Sequence, residues 1–365
     1  MINKMKILNI SLKVLIMAAI VVSPLFCNNA YSQAPAGKNV KYEWQKGVCY
    51  TTWSKDKYSS ERSDESLKEV KSLGTEWVSI LTTWYQEKCF TPEIRPNERT
   101  PSDESIIHAI NTAHSLGMKV MLKPHLDIVD ISDGSWRGEI ACTSEPDWKM
   151  WFENYRDFMV HYAKLAEENK VEMLCIGTEL TSIATIREEM WKEVVIKPVR
   201  QVYSGPLTYA ANWNDEYTHV KFWDALDYVG IDAYFPLTEE ENPNLEQIKE
   251  GWKEWVEEIQ EFQKKVNKPI IFPEVGYCSA NWTAKTPWED LTSGNVNVKL
   301  QADCYQALFE TFWDREWFYG AYWWRWGTDI RFGGSNNRGF LFQNKPAQDI
   351  VKTWYKKPTP TRTMY

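Results

Sequence analysis

A single-domain α/β fold, the eight-stranded parallel (β/α)8 TIM barrel, is the class this sequence predicts, and three observations carry that prediction. Eight short apolar or alternating runs recur along the chain, at 47–53, 76–83, 119–125, 172–179, 207–212, 227–233, 269–275 and 319–326. Longer amphipathic stretches lie between them, and strict alternation of strand and helix points to a parallel sheet closed on itself. No glycine-rich phosphate loop follows the first run, which disfavours a doubly wound sheet, the nearest competing fold.

Taken in order, GVCYTTW and EWVSILTT open the barrel with a helix expected over 63–73 between them, stopped at Gly74. A second helix is expected over 103–117. Ser102-Asp103-Glu104 follows Pro101 as its start signal, and Gly117 ends it. KVMLKPH is the third strand, and Pro146-Asp147 opens a long helix over 147–169. EMLCIGTE, LTYAAN and DYVGIDA follow as strands four to six, separated by helices over 185–203 and, shorter, 219–225. PIIFPEV and YGAYWWRW complete the set, with helices over 244–267, 297–316 and 346–355. The chain shows no internal repeat and no Pro/Ser linker. The barrel is therefore expected to span 46–355, after an extension at 33–45, with a loose tail KKPTPTRTMY at 356–365.

The first 32 residues read as an export signal rather than as part of the barrel. Lys4, Lys6 and Lys13 precede or flank the apolar core VLIMAAIVV, and Ala30-Tyr31-Ser32 places small residues at −3 and −1 of a cleavage site. The apolar core is too short to span a bilayer comfortably. Phe26 before Cys27 is too large for the usual lipoprotein pattern. An exported protein, periplasmic or extracellular, is expected, acting as a monomer and without membrane attachment once the signal is cut. Loss of three lysines takes the formal charge from −8 to −11, which gives nucleic acid no electrostatic reason to bind. Cys49 and Cys175 fall inside strands and read as buried thiols. Cys89 and Cys142 fall in loops on one face, where an exported chain has room for a disulfide.

Two glutamates carry the chemistry. Glu179 ends the apolar run of strand four, and Glu274 ends that of strand seven. In this fold catalytic residues come from the C-terminal ends of strands. A lone glutamate there is more often an ion-pair partner. Two of them, each behind a run that denies it easy solvation, suit a reaction in which one carboxyl stays protonated and the other ionised. Cleavage of a glycosidic bond is such a reaction. Twenty tryptophans exceed what a core of this size needs, and a flat apolar ring complements the C–H face of a sugar.

The motifs KPHLD (123–127), IGTELTS (176–182), GIDAYFPL (230–237) and PEVGY (273–277), in a pattern running from KGVCYTTW to YWWRWGTD, resemble glycoside hydrolase family 113. Members of that family act on β-1,4-mannan and sit in a clan of retaining barrel glycosidases. The resemblance implies that Glu179 is the acid/base and Glu274 the nucleophile, with no cofactor. It also implies that a tyrosine near the end of strand six, here Tyr234, bonds the nucleophile and keeps it ionised. One departure from the wider clan is Thr178, where an asparagine would bind the sugar 2-hydroxyl. A threonine cannot reach as far, so that contact must come from elsewhere.

Other strand ends furnish candidate sugar contacts. Alternation puts Lys123 and His125 on one side at the end of strand three, facing the cleft, where both can bond hydroxyls. His125 also fits a structural histidine, and with five histidines in all a metal site is poorly supplied. Asn212 is a hydroxyl partner or a helix cap, and Asp232 ends strand six beside Tyr234. On strand eight, alternation places Trp324 and Trp326 on one face and Trp323 on the other, with Trp324 as the sugar platform. Trp84 after strand two, Trp136-Arg137 in the loop after strand three, and Trp282 and Trp288 in the loop after strand seven are candidates for outer subsites. The substrate expected is β-mannan or a related oligosaccharide. The competing readings are a retaining glycosidase on glucan, xylan or galactan, and a silent glycan-binding barrel. No HExxH or clustered His supports a metal hydrolase.

Overall fold

The computed structural model describes residues 41–290 and 294–362. The export signal and the cut expected after Ser32 lie outside them. Eight strands form one closed parallel barrel in chain order. They are β1 (Gln45–Thr51), β2 (Trp77–Gln86), β3 (Lys119–Ile128), β4 (Met173–Thr178), β5 (Leu207–Asn212), β6 (Val229–Asp232), β7 (Ile270–Val275) and β8 (Phe318–Gly327). The β1–β8 ladder closes the seam, with Gln45 opposite Gly320 and Thr51 opposite Gly327. Every run predicted from sequence is a strand, with β2 and β3 extending three residues further than read.

The main helices are α1 (Glu61–Ser72), α2 (Asp103–Ser115), α3 (Glu145–Glu168), α8 (Leu245–Val266), α9 (Val298–Phe312) and α10 (Pro346–Tyr355), with short α4 (Thr181–Ala184), α5 (Glu188–Met190), α6 (Lys197–Val202) and α7 (Glu216–His219). Ser60, Ser102, Ser144 and Asn244 cap α1, α2, α3 and α8 through their side-chain oxygens, satisfying amides that the first turn leaves unpaired. The helix expected over 185–203 is broken. Trp191–Ile196 is π-helical between α5 and α6, just ahead of Pro198, which has no N–H and crowds the carbonyl four residues back.

Two apolar layers result. Cys49, Met121, Met173, Cys175, Ala210, Ile271 and Tyr322 fill the barrel interior. Val48, Val78, Val120, Leu174, Tyr209, Ile231, Phe272 and Trp323 point outward against the helices. The N-terminal end of the barrel is closed by the residues just before β1. Trp44 is buried against Trp313 and Phe318, and Tyr42 packs edge-on to Tyr228 and Tyr319. Within the C-terminal stretch, Arg362 donates to the carbonyls of Phe318 and Trp313. Cys89 and Cys142, the candidate disulfide pair, are not joined.

Candidate active site

β4 and β7 deliver Glu179 and Glu274 to one cleft of about 800 Å³ at the C-terminal end of the barrel. Its lining also includes Asp127, Trp136, Arg137, Asn212, Trp213, Tyr234, Trp288, Trp324 and Phe340. Glu274 is the penultimate residue of β7 and is almost wholly buried. Lys123 Nζ donates to its Oε1 at 2.6 Å, and Tyr234 Oη donates to its Oε2 at 3.0 Å. Burial works to raise the Glu274 pKa. The Lys123 ammonium and the neighbouring His125 together outweigh burial, and the carboxyl is held well below the usual carboxylate range.

Lys123 itself is fully buried and lies 3.4 Å from Asp232 Oδ2. Burial is the chief cause of a pKa for Asp232 well above the ordinary value, and the neighbouring Glu274 charge adds to it against the pull of Lys123. Glu274 has the shorter bond to Lys123 and also the tyrosine hydroxyl, so these contacts favour its ionised form over that of Asp232.

Glu179 lies one residue beyond β4 with a left-handed backbone (φ 51°), a turn that re-aims the side chain as the strand ends. Asn212 Nδ2 donates to its Oε1 at 2.8 Å, and Arg137 Nη1 donates to its Oε2 at 3.2 Å. Burial raises the Glu179 pKa despite the Arg137 charge, and the Glu274 charge raises it further. The two carboxyls are thus pushed in opposite directions by their surroundings.

The sequence-predicted residues divide sharply. Tyr234, Asn212, Trp324 and Trp136 line the cleft, as does Trp288. Lys123 and Asp232 face the same side but lie beneath the floor, with no surface left for a sugar hydroxyl. His125 is buried as well, with Nε2 3.4 Å from Glu274 Oε1 and no hydrogen-bond partner. Burial, together with the Lys123 charge, lowers its pKa to about 4, so the ring is neutral at neutral pH. It lies parallel to Trp324 at 6.3 Å.

Three tryptophans depart from expectation. Trp84 lies within β2, not beyond it, and faces outward. Its Nε1 donates to Tyr162 Oη and its ring packs on Phe158. Trp326 is also in the outer core, where Nε1 donates to Ser66 Oγ. The cause is a register shift between β1 and β8. Val48 pairs with Trp323 but Tyr50 pairs with Trp326, so one extra residue in β8 flips the alternation. Trp282 is 41% exposed and outside the cleft lining, with Lys285 over its ring.

Arg137 lines the cleft beside Trp136, as expected of the loop after strand three, while Trp213, Asn214 and Phe340 also line it and escape a strand-end reading. Arg137 arrives on a single turn, Arg137–Glu139, and also pairs with Asp127 at 3.5 Å. Phe340 comes from the long loop after β8, which has no periodic pattern to place it. Trp213 follows Asn212 and stacks on Trp288 at 5.0 Å. Thr178 is buried with its hydroxyl unpartnered. Among the described residues no group of three or more His, Cys, Asp or Glu is placed to hold a metal ion.

The model of Glycoside Hydrolase Family 113 matches residues 44–345. The chain belongs to glycoside hydrolase family 113. Among solved structures, a GH113 β-1,4-mannanase complex is 30% identical with TM-score 0.77, covering 87% of this chain and 100% of its own. The GH113 β-mannanase AaManA from Alicyclobacillus acidocaldarius, in complex with ManMIm, is 30% identical with TM-score 0.76, covering 86% and 97%. A β-glucuronidase from Ruminococcus gnavus, at 14% identity and TM-score 0.57 over 86% of this chain and 50% of its own, shares the fold alone. No curated protein sequence matches. As a family 113 chain, this protein is a glycoside hydrolase.

Proposed function

We propose that this family 113 protein is a retaining β-1,4-mannanase that cleaves mannan or manno-oligosaccharides by double displacement. The observation that carries the mechanism is the opposed tuning of two carboxyls in one cleft. Glu274 is ionised by Lys123 and Tyr234, while the Glu179 pKa is raised by burial. Glu274 attacks the anomeric carbon, and the glycosidic C–O bond breaks as protonated Glu179 gives its proton to the leaving oxygen. Glu179, now a carboxylate, takes a proton from water. That water attacks the anomeric carbon and releases Glu274, and the sugar leaves with its configuration retained. Trp324 is placed to stack beneath the reacting ring. The mannan assignment is supported by the family and by the mannanases at 30% identity. Export before action is supported by the basic and apolar start of the chain and its small-residue cleavage site.

Sugar release from β-mannan, mannohexaose, cellohexaose and xylohexaose by the mature protein, beside Glu179→Ala and Glu274→Ala, tests this reading. Activity on the manno-substrates, lost in both variants, is expected. The same mutant losses on a different glycan would move the substrate and keep the mechanism. Tight binding of one glycan without turnover of any would point to a binding barrel instead.

A further inference from the structure

Beneath the cleft, outside its lining, a buried carboxyl gathers hydrogen bonds from β5 and from the segment that follows Glu179. Glu216 sits at the start of α7 and is 1% exposed. Its Oε2 accepts from the backbone N–H of Asn212 at 2.7 Å and from Thr181 Oγ1 at 3.0 Å. Its Oε1 accepts from Tyr209 Oη. Tyr209 Oη in turn accepts from the backbone N–H of Leu180 at 2.8 Å.

These partners bracket Glu179 on every side that matters. Leu180 and Thr181 are the two residues after it, at the exit of its left-handed turn. Asn212 is the residue whose amide holds its Oε1. Gly177, two residues before it, has no side chain because the Tyr209 ring lies there: a Cβ would meet Tyr209 Cε2 at 2.7 Å. One carboxyl therefore ties the chain after Glu179 to the strand end that carries its side-chain partner. A left-handed non-glycine residue persists only where its surroundings over-determine it, and here the surroundings converge on Glu216.

We propose that Glu216 is a positioning residue for proton donation: through Tyr209, Thr181 and the Asn212 backbone, it fixes the direction in which the Glu179 carboxyl faces the leaving oxygen. This rests on the reading of Glu179 as the acid/base. Burial raises the Glu216 pKa to about 8 against the hydrogen bonds from Tyr209, Asn212 N–H and Thr181, so the decisive change is an apolar one, which removes all three contacts in either protonation state.

The test compares a substrate that needs the proton with one that does not. Mannohexaose requires protonation of the departing sugar, whereas 2,4-dinitrophenyl β-mannobioside carries a leaving group that departs unaided. In Glu216→Leu, kcat/KM for mannohexaose is expected to fall about 10- to 100-fold, the scale of a misplaced catalytic group. The value for the dinitrophenyl substrate is expected to change by less than about threefold, with KM for mannohexaose unmoved. Equal loss on both substrates, or no loss on either, in enzyme with the wild-type circular dichroism spectrum would overturn the proposal. If that variant does not fold, Tyr209→Phe and Thr181→Val, each removing one hydroxyl of the network, carry the same comparison: selective loss on mannohexaose supports the proposal, and equal loss or none overturns it. Glu179→Ala is measured alongside. If it does not itself discriminate between the substrates, the assignment of Glu179 has failed, independently of Glu216.

Discussion

At the scale of single residues, the site depends on one buried ammonium. Lys123 is within reach of both Glu274 and Asp232, and no other cation is as close to the Glu274 carboxyl among the described ion pairs. The pH dependence follows from the two tuned carboxyls. Activity is lost as pH falls through the Glu274 pKa, which lies below the ordinary carboxylate range, and again as pH rises through the Glu179 pKa, which lies above it. Replacing Lys123 with Met removes the charge that chiefly opposes burial at Glu274, so its pKa rises. The acid limb of kcat/KM is expected to move to higher pH, so the variant loses more activity at pH 5 than at pH 7. It is also expected to lose about 3–5 kcal/mol of stability, because a buried carboxylate is left unpaired. An unmoved acid limb would remove Lys123 from this role. Strand alternation puts Lys123 and Asp232 on the correct face but cannot tell cleft from floor, since depth along a strand end depends on which neighbouring strands supply partners. Here those partners come from β6 and β7, more than a hundred residues away.

At the scale of elements, alternation reads all eight strands but fails wherever a ladder slips. The extra residue in β8 carries Trp326 into the outer core while Trp324 stays in the cleft. The fixed place of Trp324 also depends on Gly276, where a Cβ would meet the Trp324 carbonyl oxygen at 2.2 Å. A bulge leaves no mark in the residue pattern, because a tryptophan suits either face. Trp84 escapes for a related reason: β2 runs on to Gln86, so a residue expected in a loop is still in the sheet. The two kinds of tryptophan should separate by experiment. Trp84→Ala is expected to cost about 3–5 kcal/mol in urea unfolding, as a large core side chain does, with kcat/KM of the folded enzyme nearly unchanged. Trp324→Ala should lower kcat/KM for mannohexaose by roughly tenfold or more through loss of apolar ring contact, with the unfolding midpoint close to wild type. The reverse pattern would exchange the two assignments.

At the scale of the whole molecule, the barrel brings carboxyls 95 positions apart to one cleft, and this is legible in the sequence because the fold dictates where the ends of strands four and seven lie. The loop residues are only partly legible. Trp136 and Arg137 stand out as an aromatic and a cation in the loop after strand three, whereas Phe340 reaches the cleft on a segment with neither helical nor strand period, so its position follows only from closure of the ring. The chain ahead of the barrel has its own test: mass analysis of the exported protein is expected to find Gln33 as the first residue, and retention of residues 1–32 would refute cleavage there. The most direct test of the catalytic assignment uses the Glu179→Ala enzyme with 2,4-dinitrophenyl β-mannobioside. The unaided leaving group allows the first displacement, and loss of the base slows the second, so the covalent intermediate should accumulate. Peptide mass mapping of the quenched protein is predicted to find a mannobiosyl ester on Glu274. Turnover with no adduct, or an adduct on any other residue, would contradict the assignment of Glu274 as nucleophile.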